Sequence, residues 1–243
     1  RRFLDAEGIV AIRRPNRGRC IAAFRETALL CQALAPRGLK IRTLVLINDS
    51  SLPISIDSSP LANLQALVEA ASAPVPILAG LTDSFERGYH LQSFCLVANQ
   101  ALLRDPAWSL FWMALETDLN KYELIGAGEV GLSLCLASAG VQLRPLFPLV
   151  DRLLSLPTAQ EELRLCNDMT IERLNASLFL PRTLLEEGCS FVKKLALFAV
   201  PASGLELTAA CLQRIAPALR ADFSQDLTRL LASRNHPQEG DMA

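Results

Sequence analysis

Apolar residues recur along this chain in two rhythms, and polar breaks separate them. Residues 8–12 form a short β-like apolar run that breaks at Arg13-Arg14-Pro15-Asn16-Arg17-Gly18-Arg19, so a loop is expected there. Ile21, Phe24, Ala28, Cys31 and Ala35 follow at helical spacing until Pro36-Arg37-Gly38 ends the pattern. Residues 43–47, Thr-Leu-Val-Leu-Ile, are apolar on both faces, as a central parallel strand should be, and stop at Asn48-Asp49-Ser50-Ser51. The pattern then predicts a helix over 61–71 and a strand over 75–81 interrupted by Pro76 and Gly80. A polar loop over 82–90 and a strand over 91–97 come next. Asp105-Pro106 offers an N-cap and a first-turn proline to a helix that turns Trp108, Phe111, Trp112 and Leu115 inward. An apolar helix over 129–139 closes at Gly140, and 141–143 suggests one more strand. From Thr158 the pattern is mainly helical, with a helix over 205–231 and a polar tail from Ser233. Strands alternating with helices indicate an α/β sheet, followed from about residue 150 by a helical part of the same domain.

Composition narrows the class. Of the 243 residues, 51% are apolar and 20% charged, enough for a large core. Lys plus Arg number 24 against 25 Asp plus Glu, so no basic surface suits a nucleic-acid partner. Seven cysteines, with no C-x-x-C and only two histidines, indicate neither a disulfide framework nor a zinc site, and a reducing, cytoplasmic compartment is expected. No apolar run reaches the roughly 18 to 20 residues of a membrane span.

Three segments are candidates for chemistry. In open α/β sheets ligands bind beyond the carboxyl ends of strands, so Asn48-Asp49-Ser50 is the first place to look. Asp49 there either holds a divalent cation that neutralises a diphosphate or caps a turn. Glu129 stands at the predicted start of an apolar helix, either as a base toward a hydroxyl or as a first-turn residue favoured by the helix dipole. Asp83, Glu86 and His90 share one polar segment, where His90 is a catalyst or a structural hydrogen-bonder. Gly126, Gly128 and Gly131 fit the dinucleotide-binding pattern G-x-G-x-x-G, which keeps an NAD or FAD oxidoreductase as an alternative although the strand before it is poor.

Taken in order, several blocks resemble the rhamnan-synthesis F protein family of polysaccharide glycosyltransferases. They are Arg14-Pro15-Asn16-Arg17-Gly18-Arg19, Leu46-Ile47-Asn48-Asp49-Ser50 and Gly80-Leu81-Thr82-Asp83-Ser84-Phe85-Glu86. His90-Leu91-Gln92-Ser93-Phe94, Phe111-Trp112, Tyr122, Glu129-Val130-Gly131-Leu132-Ser133, Asn175 and Phe191-Val192-Lys193-Lys194-Leu195 continue the series. The resemblance covers roughly residues 9 to 198. It implies a GT-A-like, mostly parallel sheet flanked by helices, and inverting transfer of a sugar, typically rhamnose from dTDP-rhamnose, to a surface polysaccharide or lipid-linked glycan. On that reading Asn16, Arg17, Gly18, Arg19, Asn48 and Asp49 bind the donor, with Mg²⁺ or Mn²⁺ on Asp49. Thr82, Asp83, Ser84, His90 and Gln92 line the cleft, and Glu129, ahead of Asp83, takes the acceptor proton. Peripheral association with the cytoplasmic face of a membrane, and with other glycan-assembly domains, goes with it.

The chain departs from the family pattern in two places. Cys20 stands where an acid is usual after Gly-Arg, and the C-terminal Asn-Pro start is Asn175-Ala176, with Leu180-Pro181 close by where an aromatic is missing. An inactive carbohydrate-binding or scaffolding module is therefore a second reading. The GT-A-like reading also expects a first βαβ unit upstream of, or lost from, a chain that opens on Arg1-Arg2-Phe3-Leu4.

Overall fold

The computed structural model describes residues 12, 14, 15, 17–38, 40–54, 60–166, 169–199 and 225. The predicted strand over 8–12, the helix over 205–231 and the tail from Ser233 lie outside the described residues, apart from Ile12 and residue 225, as does Asn16. The first half runs α1 (Arg19–Leu34), β1 (Thr43–Ile47), β2 (Ser51–Pro53), α2 (Pro60–Ala70), β3 (Ile77–Ser84), β4 (His90–Leu91) and β5 (Cys95–Asn99). Then come α3 (Gln100–Leu103), α4 (Pro106–Ala114), α5 (Lys121–Leu124), α6 (Gly131–Ser138) and β6 (Gln142–Phe147). The last part holds α7 (Pro157–Arg164), α8 (Ala176–Phe179), α9 (Pro181–Glu186), β7 (Phe191–Lys193) and α10 (Ala196–Ala199).

This is a mixed α/β fold with its sheet flanked by helices. Strand order is β1-β5-β3, with β6 on the far side of β3 and β4 on the last two residues of β3. β5 runs antiparallel to both neighbours and β6 runs parallel to β3, so β1, β3 and β6 share one direction around a reversed β5. A small second sheet joins β2 to β7, which ties the last part of the chain to the loop after β1.

Alternation along β3 and β5 builds two cores. Ile77, Ala79 and Leu81, with Cys95 and Val97, face α2 and the segments around α7 to α9, where Leu67, Leu153, Ala159 and Leu184 pack. Leu78, Leu96 and Ala98 face the other way, onto Ile21, Phe24 and Ala28 of α1, Trp108 and Trp112 of α4, and Leu132 and Leu136 of α6. The α4 cap is as the sequence indicates: the Asp105 carboxylate accepts from the Ala107 N–H, Pro106 opens the helix, and both tryptophans are fully buried.

Several elements differ from the sequence reading. Residues 43–47 form an edge strand paired with β5 alone among the described residues, antiparallel, with Val45 and Ile47 exposed, rather than a central parallel strand covered on both faces. The strand expected over 91–97 is divided into β4 and β5. Thr82, Asp83 and Ser84 are the buried end of β3 rather than part of a loop, because β4 folds back and pairs with Asp83 and Ser84. The helix around Glu129 starts earlier, at Lys121, where Asn120 and Glu123 form a capping box, and it passes through a π-helical turn (Ile125–Val130) before α6. Glu129 therefore sits in mid-helix, away from any helix N-terminus. Among the described residues no helix is long and apolar enough to cross a membrane.

Burial at both faces of β3 sets an expected stability pattern. Leu78→Ala should lower unfolding free energy by about 2–5 kcal/mol in urea titration, and Leu134→Ala, on the exposed side of α6, by no more than about 0.5 kcal/mol. Burial pushes the Cys95 and Cys189 thiols up to about 12, whereas Cys135 is exposed. Thiol labelling of the native protein should modify Cys135 before the other described cysteines and reach Cys95 and Cys189 only on unfolding.

Candidate functional site

Beyond the carboxyl ends of β1 and β3, four separate segments meet. The chain leaving β1 is turned by Asn48, whose N–H donates to the Phe94 carbonyl at 3.1 Å and whose side-chain oxygen accepts from the Ser50 N–H at 2.9 Å. The Asn48 amide donates to Cys20 Sγ at 3.5 Å, which fixes the first turn of α1 against this loop. From the π-helical turn, Glu129 reaches back so that Oε1 accepts the Ser93 N–H at 2.9 Å. A π turn re-aims one side chain out of the helical register, and such turns concentrate at functional sites.

His90 and Lys193 complete the group. His90 Nδ1 lies 2.8 Å from the Gly88 carbonyl, which can only accept, so Nδ1 carries a proton. Its Nε2 then faces Glu129 Oε1 at 3.9 Å, too far for a hydrogen bond but close enough for an ion pair when the ring is protonated. Lys193 lies over the Phe94 ring, 5.8 Å from its centroid, in the field of Glu129 and Glu86. Burial holds its ammonium below the usual lysine range, and the two carboxylates oppose that shift. Burial also raises the Cys20 thiol; the Asn48 amide opposes this and the charge of Glu129 adds to it. The assembly is a partly buried carboxylate oriented by a backbone donor, flanked by an imidazole, an ammonium and a neutral thiol.

The remaining predicted residues divide between this group and its supports. Thr82 and Gln92 are buried beneath it and bond each other, Oγ1 to Oε1 at 2.9 Å, leaving Gln92 Nε2 without a partner among the described residues. Ser84 donates to the Leu174 carbonyl and accepts from the Glu86 N–H. Asp83 has different partners from Glu129: its carboxylate accepts from the Leu149 N–H at 2.7 Å and from the Tyr89 hydroxyl. Burial raises the Asp83 carboxyl above the usual carboxylate range and pushes the Tyr89 phenol up to about 12. Arg17 and Arg19 are exposed at the start of α1, where Arg14 holds both their carbonyls. Gly18 adopts φ +66, and a Cβ there would meet Ala22 at 2.5 Å and Thr117 at 2.9 Å, so a side chain is excluded.

Asp49 fits poorly as the anchor of a metal. Its side chain is fully exposed, 3.9 Å from Lys194 Nζ, and the Asn48 side chain is already committed. Among the described residues no three His, Cys, Asp or Glu side chains gather as a metal site. One carboxylate beside an ammonium does not make a cation cage.

The glycine pattern has a packing role. Gly126, Gly128 and Gly131 lie inside the Lys121–Ser138 helical run with no strand before them, so the strand-to-helix turn of a dinucleotide site is not formed there. A Cβ on Gly128 would lie 2.5 Å from Ile21 Cγ2, so this glycine lets the π turn approach α1. Lys193 and Ser93 had no role in the sequence reading beyond membership of matching blocks. The signal for Lys193 was the Lys-Lys pair inside an otherwise apolar run.

Comparison with known proteins returns no matching family model, no matching curated protein and no matching solved structure.

Two substitutions separate support from site. Asp83→Ala should cost about 1–3 kcal/mol in chemical denaturation, since it strands the buried Leu149 N–H. Gly128→Ala should cost about 1–3 kcal/mol by pushing α1 from the π turn, with a changed near-ultraviolet spectrum from the tryptophans packed beside α1.

Proposed function

We propose that the chain carries a glycosyltransferase site that moves a sugar, rhamnose on the family resemblance, from a nucleotide-sugar donor to a polysaccharide or lipid-linked glycan acceptor with inversion. The observation that carries this reading is Glu129: a carboxylate at the carboxyl edge of the sheet, oriented by the Ser93 N–H and kept beside His90 and Lys193. A reversed strand lodged between strands of common direction is compatible with part of a GT-A-like sheet.

The chemistry asked of these residues is a single displacement. Glu129 takes the proton of an acceptor hydroxyl as that oxygen bonds the anomeric carbon, while the bond from that carbon to the donor diphosphate breaks and its electron pair leaves on the phosphate oxygen. The Ser93 N–H fixes one carboxylate oxygen, leaving the other for the incoming hydroxyl. Thr82, Gln92 and Asp83 act one step back by holding β4 and the segment after β6 in register.

Glu129→Gln keeps an oxygen for the Ser93 N–H but removes the base. Release of nucleoside diphosphate from a nucleotide sugar in the presence of acceptor should fall at least about 100-fold, with donor binding by thermal shift retained. Undiminished turnover would remove Glu129 from the role of base. Cys20 favours a second reading, a domain that binds glycan or donor without turnover, since a half-buried neutral thiol stands where the family carries an acid. Donor binding by the wild-type chain without product over a panel of acceptors would select that reading.

A further inference from the structure

The amino end of β1, opposite the Glu129 site, carries a cavity of about 180 Å³ between the second half of α1, the residues leading into β1, and α3. Cys31, Ile41 and Leu103, each half-buried, form its apolar walls, and the fully buried Ala28 and Trp108 close its floor. Burial raises the Cys31 thiol above its ordinary value, so that wall is neutral. The walls are held from behind. The Gln32 amide donates to the Ser109 hydroxyl at 2.9 Å and ties α1 to α4, and the Asn99 side chain caps α3 by accepting the Leu102 N–H at 2.9 Å.

The rim is cationic. Lys40 and Arg104 line the cavity and are exposed, and Arg104 also lines an adjoining, wider hollow of about 600 Å³ where Arg42 joins it. No acidic residue lines either space, and none of the three cations is in an ion pair among the described residues. The next carboxylate along the chain, Asp105, is committed to the Ala107 N–H. Since the chain has 24 basic against 25 acidic residues, three cations without a carboxylate are a local arrangement and no consequence of a generally basic surface. Gathered like charges repel, and a bound anion relieves that repulsion. The apolar pit beneath them selects what the anion is attached to. An apolar cavity of about 150 Å³ admits benzene, so this one takes a body of ring size, while larger ligands need pockets of roughly 300–1,000 Å³.

We propose that this cavity binds a small organic anion, with an apolar body of ring size against Cys31 and Leu103 and one carboxylate or phosphate head held by Arg104 and Lys40. The Arg104 guanidinium offers paired N–H donors to two oxygens of the head, and the Lys40 ammonium supplies a second charge. The site is independent of the glycosyltransferase reading: it precedes β1, whereas Asn48 and the Glu129 group lie beyond the end of that strand.

The test is isothermal titration of phenylacetate and phenyl phosphate into the chain at low salt, with phenylacetamide as the neutral counterpart and acetate as the head alone. The expected result is saturable binding of one or both aryl anions at or below about 1 mM, with phenylacetamide and acetate each at least about tenfold weaker. Arg104→Gln and Lys40→Gln alter exposed side chains, and circular dichroism establishes that both variants are folded. They should weaken the anion about tenfold and about threefold, respectively. The saturating anion should also slow alkylation of Cys31, read by peptide mass spectrometry, and leave that of the exposed Cys135 unchanged. No saturable binding of either aryl anion up to about 10 mM overturns the proposal. So does binding that phenylacetamide matches, that survives Arg104→Gln undiminished, or that leaves Cys31 alkylation unchanged.

Discussion

The structure depends on one constraint: β3 is buried along all eight of its residues, and the last three are Thr82, Asp83 and Ser84. An apolar strand covered on both faces needs helices on each side, which α1, α4 and α6 supply on one and α2 with the α7–α9 region on the other. Polar side chains at its buried end need partners, and each recruits a different part of the chain. Thr82 takes Gln92 after β4, Asp83 takes the Leu149 N–H after β6, and Ser84 takes the Leu174 carbonyl before α8. Satisfying three buried polar groups thus draws three distant segments to the carboxyl edge of the sheet.

The candidate site lies where these segments meet. Residues 90–94 are fixed from below by Thr82 and the β4 ladder, so the Ser93 N–H is available to orient Glu129. The π turn is needed because Gly128 must pass close to Ile21 while Glu129 points back at β4. On the far side, the β2–β7 ladder brings Lys193 across Phe94. Glu129 is held by the Ser93 N–H, and Lys193 is mostly buried over Phe94 without a salt bridge among the described residues.

Much of this fold was legible in the sequence because its elements are locally consistent. The Asp105-Pro106 start and the inward tryptophans follow from short-range rules and are where the pattern puts them, whereas the apolar run 43–47 is a strand but lies at the sheet edge, antiparallel to β5, because its place in the sheet is set by distant pairing. Thr82-Asp83-Ser84 reads as loop because polar residues rarely end a strand buried on both faces; pairing of Thr82 with Phe147 of β6 and the return of β4 onto Asp83 and Ser84 make it strand. The start of the Glu129 helix was misplaced for a related reason. Gly126 and Gly128 look like a break, whereas the close approach to Ile21 that explains Gly128 is a tertiary contact. Glu129, His90 and Asn48 stand out in the sequence by residue type and position, and the structure brings their segments together. The pairing of Ser51 with Lys193 joins residues 142 apart and is set by a ladder that no local pattern announces.

The proposed nucleotide-sugar site lies at the carboxyl edge of the sheet, around Glu129. The most direct measurement is amide chemical-shift mapping of the ¹⁵N-labelled protein during titration with thymidine diphosphate-rhamnose. The account predicts that the largest shifts fall on residues 48–51, 90–94, 127–130 and 192–194, the four segments that surround Glu129 and Lys193. Shifts confined to the opposite edge, around Lys40, Arg42 and Arg104, or no shift at saturating ligand, would contradict it.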